Sequence, residues 1–172
     1  MAIVLMGRTG SGKSTVGKLI AEALNWHYVS TGDIARSLTS EENINMLWQE
    51  LGQFAPEEEI RKAFEVEIMD HGDMVVIDGM PRKIEQINYL QSLFGGNIDY
   101  YLLDIDKDTA RKRLFTRNRL DDTISTIENR LRNFDRTTMK AIRKLEQQGL
   151  LNNIDGNQSS YSIADIVIHR AI

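Results

Sequence analysis

Cysteine is absent from all 172 residues, which excludes disulfides and thiolate zinc ligands and fits a reducing, cytoplasmic setting. No apolar run approaches the length needed to cross a bilayer, and the hydrophobic N-terminal stretch reads as a strand rather than a signal peptide. A membrane partner is therefore not expected. Neither charge sign dominates: 21 basic against 25 acidic residues leave a net −4, so no overall basic field draws in nucleic acid, although basic residues cluster locally. Low-complexity tracts and internal repeats are missing too, and only two prolines punctuate the chain. What remains has the length of one compact domain, enough to bury a sheet on both faces.

What is there is concentrated at the start. Ala2 to Met6 is a fully apolar run of strand length, and Gly7 to Ser14, GRTGSGKS, fills every specified position of G-x-x-x-x-G-K-[ST]. Val16, Leu19, Ile20, Ala23 and Leu24 then recur at the spacing of an amphipathic helix that packs on the sheet. Between strand and helix, Gly7, Gly10 and Gly12 permit backbone conformations closed to residues with a Cβ, so successive N–H groups can turn inward at the positive end of the helix. That hollow suits a polyphosphate. Lys13 adds a mobile charge for the β and γ phosphates, and the Ser14 hydroxyl is placed to meet a Mg²⁺ or a phosphate oxygen.

Further along, His27 to Val29 reads as a second strand, with Ser30 or Thr31 capping the helix that follows. Ile34 to Gln53 reads as helical segments broken around Ser40 and Asn43, and Pro56 opens an acidic first turn, Glu57 to Glu59, of a helix through Met69. Residues 31–73 thus form a helical insertion. Met74 to Ile77 is a buried parallel strand ending on Asp78. Asp78 is either a turn aspartate before Gly79 or a carboxylate for a Mg²⁺ shell, and the cation that such a loop requires favours the second. Helices are expected over Lys83 to Phe94, over Lys107 to Thr116 with Ala110, Leu114 and Phe115 inward, and over Asp121 to Leu145 with Ile124, Ile127, Leu131 and Phe134 on one stripe. Tyr100 to Leu103 and Leu150 to Ile154 complete the strands, and the tail from Ser160 is taken as helix. The alternation predicts an α/β phosphate-loop domain in three layers, with a five-stranded parallel sheet, helices on both faces and ligands at the strand C-termini.

Six arginines, Arg36, Arg82, Arg113, Arg117, Arg119 and Arg130, follow or face elements that should converge on the loop, whereas Arg111, Lys112, Arg132 and Arg143 should be solvated. Phosphoryl transfer asks a protein mainly to align donor and acceptor and to neutralise charge, which forked guanidiniums do bidentately. Arg113, Arg117 and Arg119 bracket a short polar segment ending in Asp121-Asp122 that could close over a triphosphate as a lid. The two aspartates could complement a helix dipole or hold Arg119 and Arg130 in place.

These residues carry four ordered signatures. GRTGSGKST at 7–15, STGDIAR at 30–36, DGMPR at 78–82 and RLDD at 119–122 with Arg130 beyond resemble the donor loop, acceptor site, D-G-aromatic-P-R and lid motifs of adenylate kinases and other nucleoside monophosphate kinases. The resemblance covers essentially the whole chain. It implies a single kinase domain with core 1–30, 74–116 and 120–172, an acceptor-binding insertion 31–73 and a very short lid 117–119. It implies that Gly10, Ser11, Gly12, Lys13, Ser14 and Thr15 hold the ATP phosphates, that Arg113 stacks on the ATP adenine, and that the Asn153 to Gly156 turn contacts the same base. Arg36 and Arg82 would grip the acceptor's α-phosphate, and Arg117, Arg119 and Arg130 would stabilise the transferring group. Thr31, Gly32, Ala55, Gly79 and Gln86 would frame the acceptor, while Ser14, Asp33 and Asp78 would serve Mg²⁺, mostly through water. The bond from Met80 to Pro81 would be cis. A monomer whose partners are ATP and AMP is implied.

Thr31 and Gln86 match adenylate kinases rather than pyrimidine-specific relatives, and a Gln amide can offer an adenine edge both a donor and an acceptor. Departures are also visible. Arg8 and Thr9 stand where relatives have small residues or proline, Ser14 where they have Gly, Met80 where they have an aromatic, and Ala55 where they have Val; only Asn118 separates Arg117 from Arg119. Arg8 is open to phosphate contact or to solvent. Three activities stay open: transfer to AMP, transfer to another acceptor such as UMP, CMP or dAMP, and slow ATP hydrolysis by a switch or assembly factor.

Overall fold

The computed structural model describes residues 1–42, 57–72, 74–117 and 122–171. Five strands, β1 (Ala2–Met6), β2 (His27–Ser30), β3 (Val75–Asp78), β4 (Ile98–Asp104) and β5 (Leu151–Asp155), form one parallel sheet in the order β2-β3-β1-β4-β5. Parallel neighbours cannot be joined by tight turns, so helices carry the crossovers. β1 is central and buried at all five positions, which is why its sequence is apolar without alternation. Its side chains still divide by the pleat: Ala2, Val4 and Met6 enter one core, Ile3 and Leu5 the other.

Helices α1 (Lys13–Leu24) and α8 (Ser160–Ala171) cover the second face through Val16, Ile20, Ile163 and Val167. The first face is covered by α2 (Thr31–Glu42), α3 (Glu57–His71), α4 (Ile84–Phe94) and α7 (Met139–Gln147), with Phe64, Leu90 and Leu145 fully buried. Helices α5 (Lys107–Arg117) and α6 (Ile124–Asn133) share a smaller cluster of Ile105, Ala110, Leu114, Ile127 and Leu131. From β1 the chain crosses to β2 on the far side of β3, and from β3 it crosses to β4 on the other side of β1, so the connections diverge and the crevice at the strand C-termini opens between β1 and β3.

Several expectations are corrected. In α1 the buried stripe is Val16, Gly17, Ile20 and Ala21, not Ala23, because the helix docks through Gly17 against the Tyr28 ring. α2 runs unbroken through Ser40 to Glu42. The expected break at Asn43 and the GQFAP segment at 52–56 lie outside the described residues. The helix expected from Asp121 starts at Ile124, where the Thr123 hydroxyl caps it by accepting from the Thr126 N–H at 3.2 Å, and widens into a π-helical turn at Phe134–Thr138 before α7. Phe115 and Ile124 are 49% and 70% exposed. Ala110 and Leu114, one turn apart, define the inward stripe of α5, and Phe115 lies about 100° round from it. Arg111 is not freely solvated: it pairs with Asp108 and with Glu128, tying α5 to α6. Among the described residues no helix is long and apolar enough to cross a membrane.

Replacing Gly17 with Ala should raise helix propensity by about 1 kcal/mol. A Cβ there would sit 2.7 Å from the Tyr28 ring and 3.2 Å from Leu5, however, and such overpacking costs about 1–3 kcal/mol. The net expectation is a thermal midpoint lowered by about 3 °C; a raised one would contradict a fixed Tyr28 ring.

Burial pushes the Tyr100 and Tyr101 phenols up to about 12 from 10.0, with Asp99 adding to the shift at Tyr101. Because the folded value exceeds the unfolded one, their contribution to stability is complete below pH 10.0 and is lost as the pH rises toward about 12. The Tyr100 hydroxyl has no hydrogen-bond partner among the described residues. Tyr100→Phe should therefore be nearly neutral at about pH 8 and should flatten the alkaline loss, read from urea midpoints at about pH 8 and about pH 11.

Candidate active site

The loop between β1 and α1 ends at Gly12, whose φ of 94° and left-handed backbone set the first turn of the helix; nothing lies within 4 Å of where a Cβ would stand, so conformation rather than space requires glycine. No side chain caps α1, so its first-turn N–H groups are available to an anion. Gly10, Gly12, Lys13, Ser14 and Thr15 line a cleft of about 450 Å³. Ser11 is buried, its hydroxyl 3.4 Å from Lys13 Nζ. Lys13 Nζ donates to the Gly7 and Arg8 carbonyls at 2.9 Å each. Burial pushes the Lys13 ammonium below its usual value; Asp78 opposes this, while Arg82 and Arg117 add to it.

Asp78, at the end of β3, is the anion facing that lysine. It is 4% exposed, and its Oδ2 accepts from Ser14 Oγ at 2.6 Å and from the Tyr28 hydroxyl at 3.0 Å. Thr31 Oγ1 donates to the Asp78 carbonyl at 3.3 Å. Tyr28 escaped sequence reasoning. Its signal was its place two residues before Ser30 on one strand face, and the parallel register that sets Tyr28 beside Val76 and Ser30 beside Asp78 brings its hydroxyl to the carboxylate. Burial, reinforced by Asp78, keeps the Tyr28 phenol protonated well above its usual range.

On the other wall, the Met80–Pro81 bond is cis and Arg82 turns back so that its Nε donates to the Gly79 carbonyl at 2.7 Å. Burial lowers the Arg82 guanidinium; Asp78 opposes, and Arg130 and Arg36 add to the lowering. Gln86 lines the cleft, yet its Oε1 is occupied by the Arg82 N–H at 2.6 Å and the Lys83 N–H at 3.4 Å. Its acceptor therefore shapes the start of α4. Arg36 reaches the same cleft while ion-paired to Asp33. Burial would raise the Asp33 carboxyl, but the hydrogen bond and charge of Arg36 outweigh it and hold the carboxyl below its usual range. Lys83 and Glu57, 2.6 Å apart at the rim, join α3 to the segment after Arg82.

Arg117 and Arg130 meet on one carboxylate. Arg117 Nε and Nη2 bind Asp122 at 2.9 Å each, and Arg130 Nη1 donates to Asp122 Oδ1 at 2.8 Å. The Asp122 side chain is 1% exposed, so both guanidiniums are held before any ligand arrives. Arg113 Nη1 donates to the Gly156 carbonyl at 3.0 Å, bringing the two residues expected at the donor base together. Phe134 and Thr138, from the π turn, also line the cleft, which helical periodicity did not reveal. Arg119 and Ala55 lie outside the described residues. Asp122→Asn would leave two arginines without their buried counter-charge and should cost about 3 kcal/mol, measured by urea unfolding; an unchanged midpoint would contradict this account of the pair.

A complete phosphate loop, a buried carboxylate beside it and five arginines around one cleft at a sheet switch point limit the families to be compared. A family model described as adenylate kinase matches residues 5–150. Adenylate kinase 1 of Synechocystis sp. is 30% identical over 94% of this chain and 92% of its own length. The adenylate kinases of Corynebacterium urealyticum and Nocardia farcinica are 30% and 29% identical, covering 98% and 91% of this chain and 97% and 91% of their own. Motifs, fold and matched length agree, and the chain belongs to the adenylate kinase family.

Proposed function

We propose that the cleft carries out reversible phosphoryl transfer from Mg·ATP to AMP, giving two ADP, with no covalent intermediate on the protein. The observation that carries this reading is the convergence of Lys13, Arg36, Arg82, Arg113, Arg117 and Arg130 on one cleft fed by a complete phosphate loop. Buried and clustered cations are costly alone, and a triphosphate and a monophosphate brought end to end relieve that cost where charge develops.

The protein's work is alignment and neutralisation. The Gly10 to Thr15 backbone and Lys13 hold the donor phosphates, and Arg113 with the end of β5 and the turn that starts at Gly156, not a turn from Asn153, holds the donor adenine. Arg36 and Arg82 take the acceptor's α-phosphate, Arg36 exchanging Asp33 for it. Arg117, Arg119 and Arg130 neutralise the group in flight, with Arg117 and Arg130 kept in place by Asp122. Thr31, Gly32, Ala55, Gly79 and Gln86 frame the acceptor base, Gln86 through its NH₂. Residues 31–73 serve as the acceptor-binding insertion and 117–119 as the lid.

Ser14 Oγ and Asp78 Oδ2, 2.6 Å apart beside the loop, are hard oxygen donors that fit Mg²⁺. We infer that water and phosphate oxygens would complete the shell of a cation held there. Held there with ATP, such an ion would offset the charge of the donor phosphates. A monomer in the cytoplasm suits the reading.

ADP formation from Mg·ATP should be stimulated by AMP and not by UMP, CMP or GMP. Stimulation by another nucleotide would overturn the base assignment, and hydrolysis indifferent to acceptor would overturn transfer. Arg82→Ala should lower AMP-dependent turnover about a thousandfold, and Lys13→Ala should remove transfer and hydrolysis together. Unchanged turnover in the first, or survival of either activity in the second, would contradict the assigned roles.

A further inference from the structure

We propose that Arg8 is a positioning residue: it ties the phosphate loop to the helical segment that presents Arg130, and so sets the spacing between Lys13 and Arg130. The inference rests on the phosphoryl-transfer reading above. Arg8 occupies a variable position of the loop motif, and its side chain is neither in the solvent nor on the cleft wall. It is 18% exposed, with its guanidinium carbon 4.5 Å above the centre of the Phe134 ring and Nη1 paired with Asp135. Its Nε is buried with no hydrogen-bond partner among the described residues, so the side chain is pressed onto Phe134 rather than left to water.

The main chain of the same residue holds the loop. The Arg8 carbonyl accepts from the Ser11 N–H at 3.0 Å and from Lys13 Nζ at 2.9 Å. One residue therefore fixes the loop ammonium with its backbone and grips the π turn with its side chain. On the far side, the Phe134 N–H donates to the Arg130 carbonyl one turn earlier, and Arg130 faces the cleft. The path from Lys13 to Arg130 passes through two hydrogen bonds and one stacked cation. Asp135 is further steadied by Lys107 Nζ at 3.6 Å. A π turn places an extra residue in the ladder and commonly marks a functional site; here it puts Phe134 under Arg8 while Phe134 and Thr138 still reach the cleft.

Arg8→Ala, Arg8→Lys, Asp135→Asn and the Arg8→Ala/Asp135→Asn double variant test this. AMP-dependent turnover is normalised to ATP sites counted by equilibrium dialysis, so that misfolded protein is not read as slow protein. For Arg8→Ala, kcat should fall about tenfold while the ATP dissociation constant and the KM for AMP stay within about twofold, because misplacement by a fraction of an ångström acts on the transition state. Asp135→Asn should lower kcat by less, and the double variant should match Arg8→Ala within about twofold, since both changes cut one link. Arg8→Lys keeps the charge without the planar fork and should restore kcat only in part. If Arg8→Ala does not fold, Arg8→Lys and Asp135→Asn carry the test. Unchanged kcat across the set would overturn the proposal. So would a weakened ATP dissociation constant at unchanged kcat, which would make Arg8 a phosphate ligand, or additive losses in the double variant. Wild-type protein without AMP-dependent turnover would sink the transfer reading and this proposal together, whereas an active wild type with indifferent variants would sink this one alone.

Discussion

Asp78 is the buried anion on which the cleft is balanced. Its carboxylate accepts from Ser14 and Tyr28 and its carbonyl from Thr31, joining α1, β2, α2 and β3 at one point. It also supplies the attraction that opposes the burial of Lys13 and Arg82. Without it, two buried cations would face each other across the loop with their nearest compensation removed, and burial of like charges is among the most expensive arrangements a protein can hold. The position is set by the sheet: β3 lies between β2 and β1, so its last residue meets the phosphate loop on one side and the start of α2 on the other.

The remaining cations are held by different devices, and the differences follow their surroundings. Arg117 and Arg130 share the buried Asp122, a fork that fixes both planes. Arg82 is turned by its own chain through the Gly79 carbonyl, and Arg113 by the Gly156 carbonyl. Arg36 is held by Asp33, an exposed partner and the easiest to give up, since exposed pairs contribute little. The cleft thus presents a rigid guanidinium at Arg82 and an exchangeable one at Arg36.

Behind these residues stands a second layer whose chemistry is apolar. The π turn, Phe134 and the cluster of Ile105, Ala110, Leu114, Ile127 and Leu131 keep α5 and α6 against each other and against the loop. Gly10 shows how close that approach is: a Cβ there would stand 2.9 Å from the Ala110 carbonyl. The loop is therefore backed by a helix, and its shape does not depend on a bound ligand alone.

Local chemistry was legible from the sequence. The phosphate loop declares itself because its glycines, lysine and hydroxyl act within a few residues of one another, and the parallel sheet because buried strands must be continuous apolar runs. Of the six arginines expected to converge, the five among the described residues all line one cleft. Tyr28 did not declare itself, because its bond to Asp78 spans 50 residues and exists only through strand register. Gln86 looked free to face a base until the start of α4 claimed its oxygen. The π turn left no mark on a 3.6-residue pattern, and Arg8 showed no direction until Phe134 and Asp135 arrived from the far end of the chain. The sequence by itself determined the phosphate-binding chemistry and the layered α/β frame, since both depend on short-range backbone and hydrophobic patterns. Tertiary structure alone decided which partner each charged or hydrogen-bonding side chain would take, because those choices depend on distances between elements that no local pattern encodes.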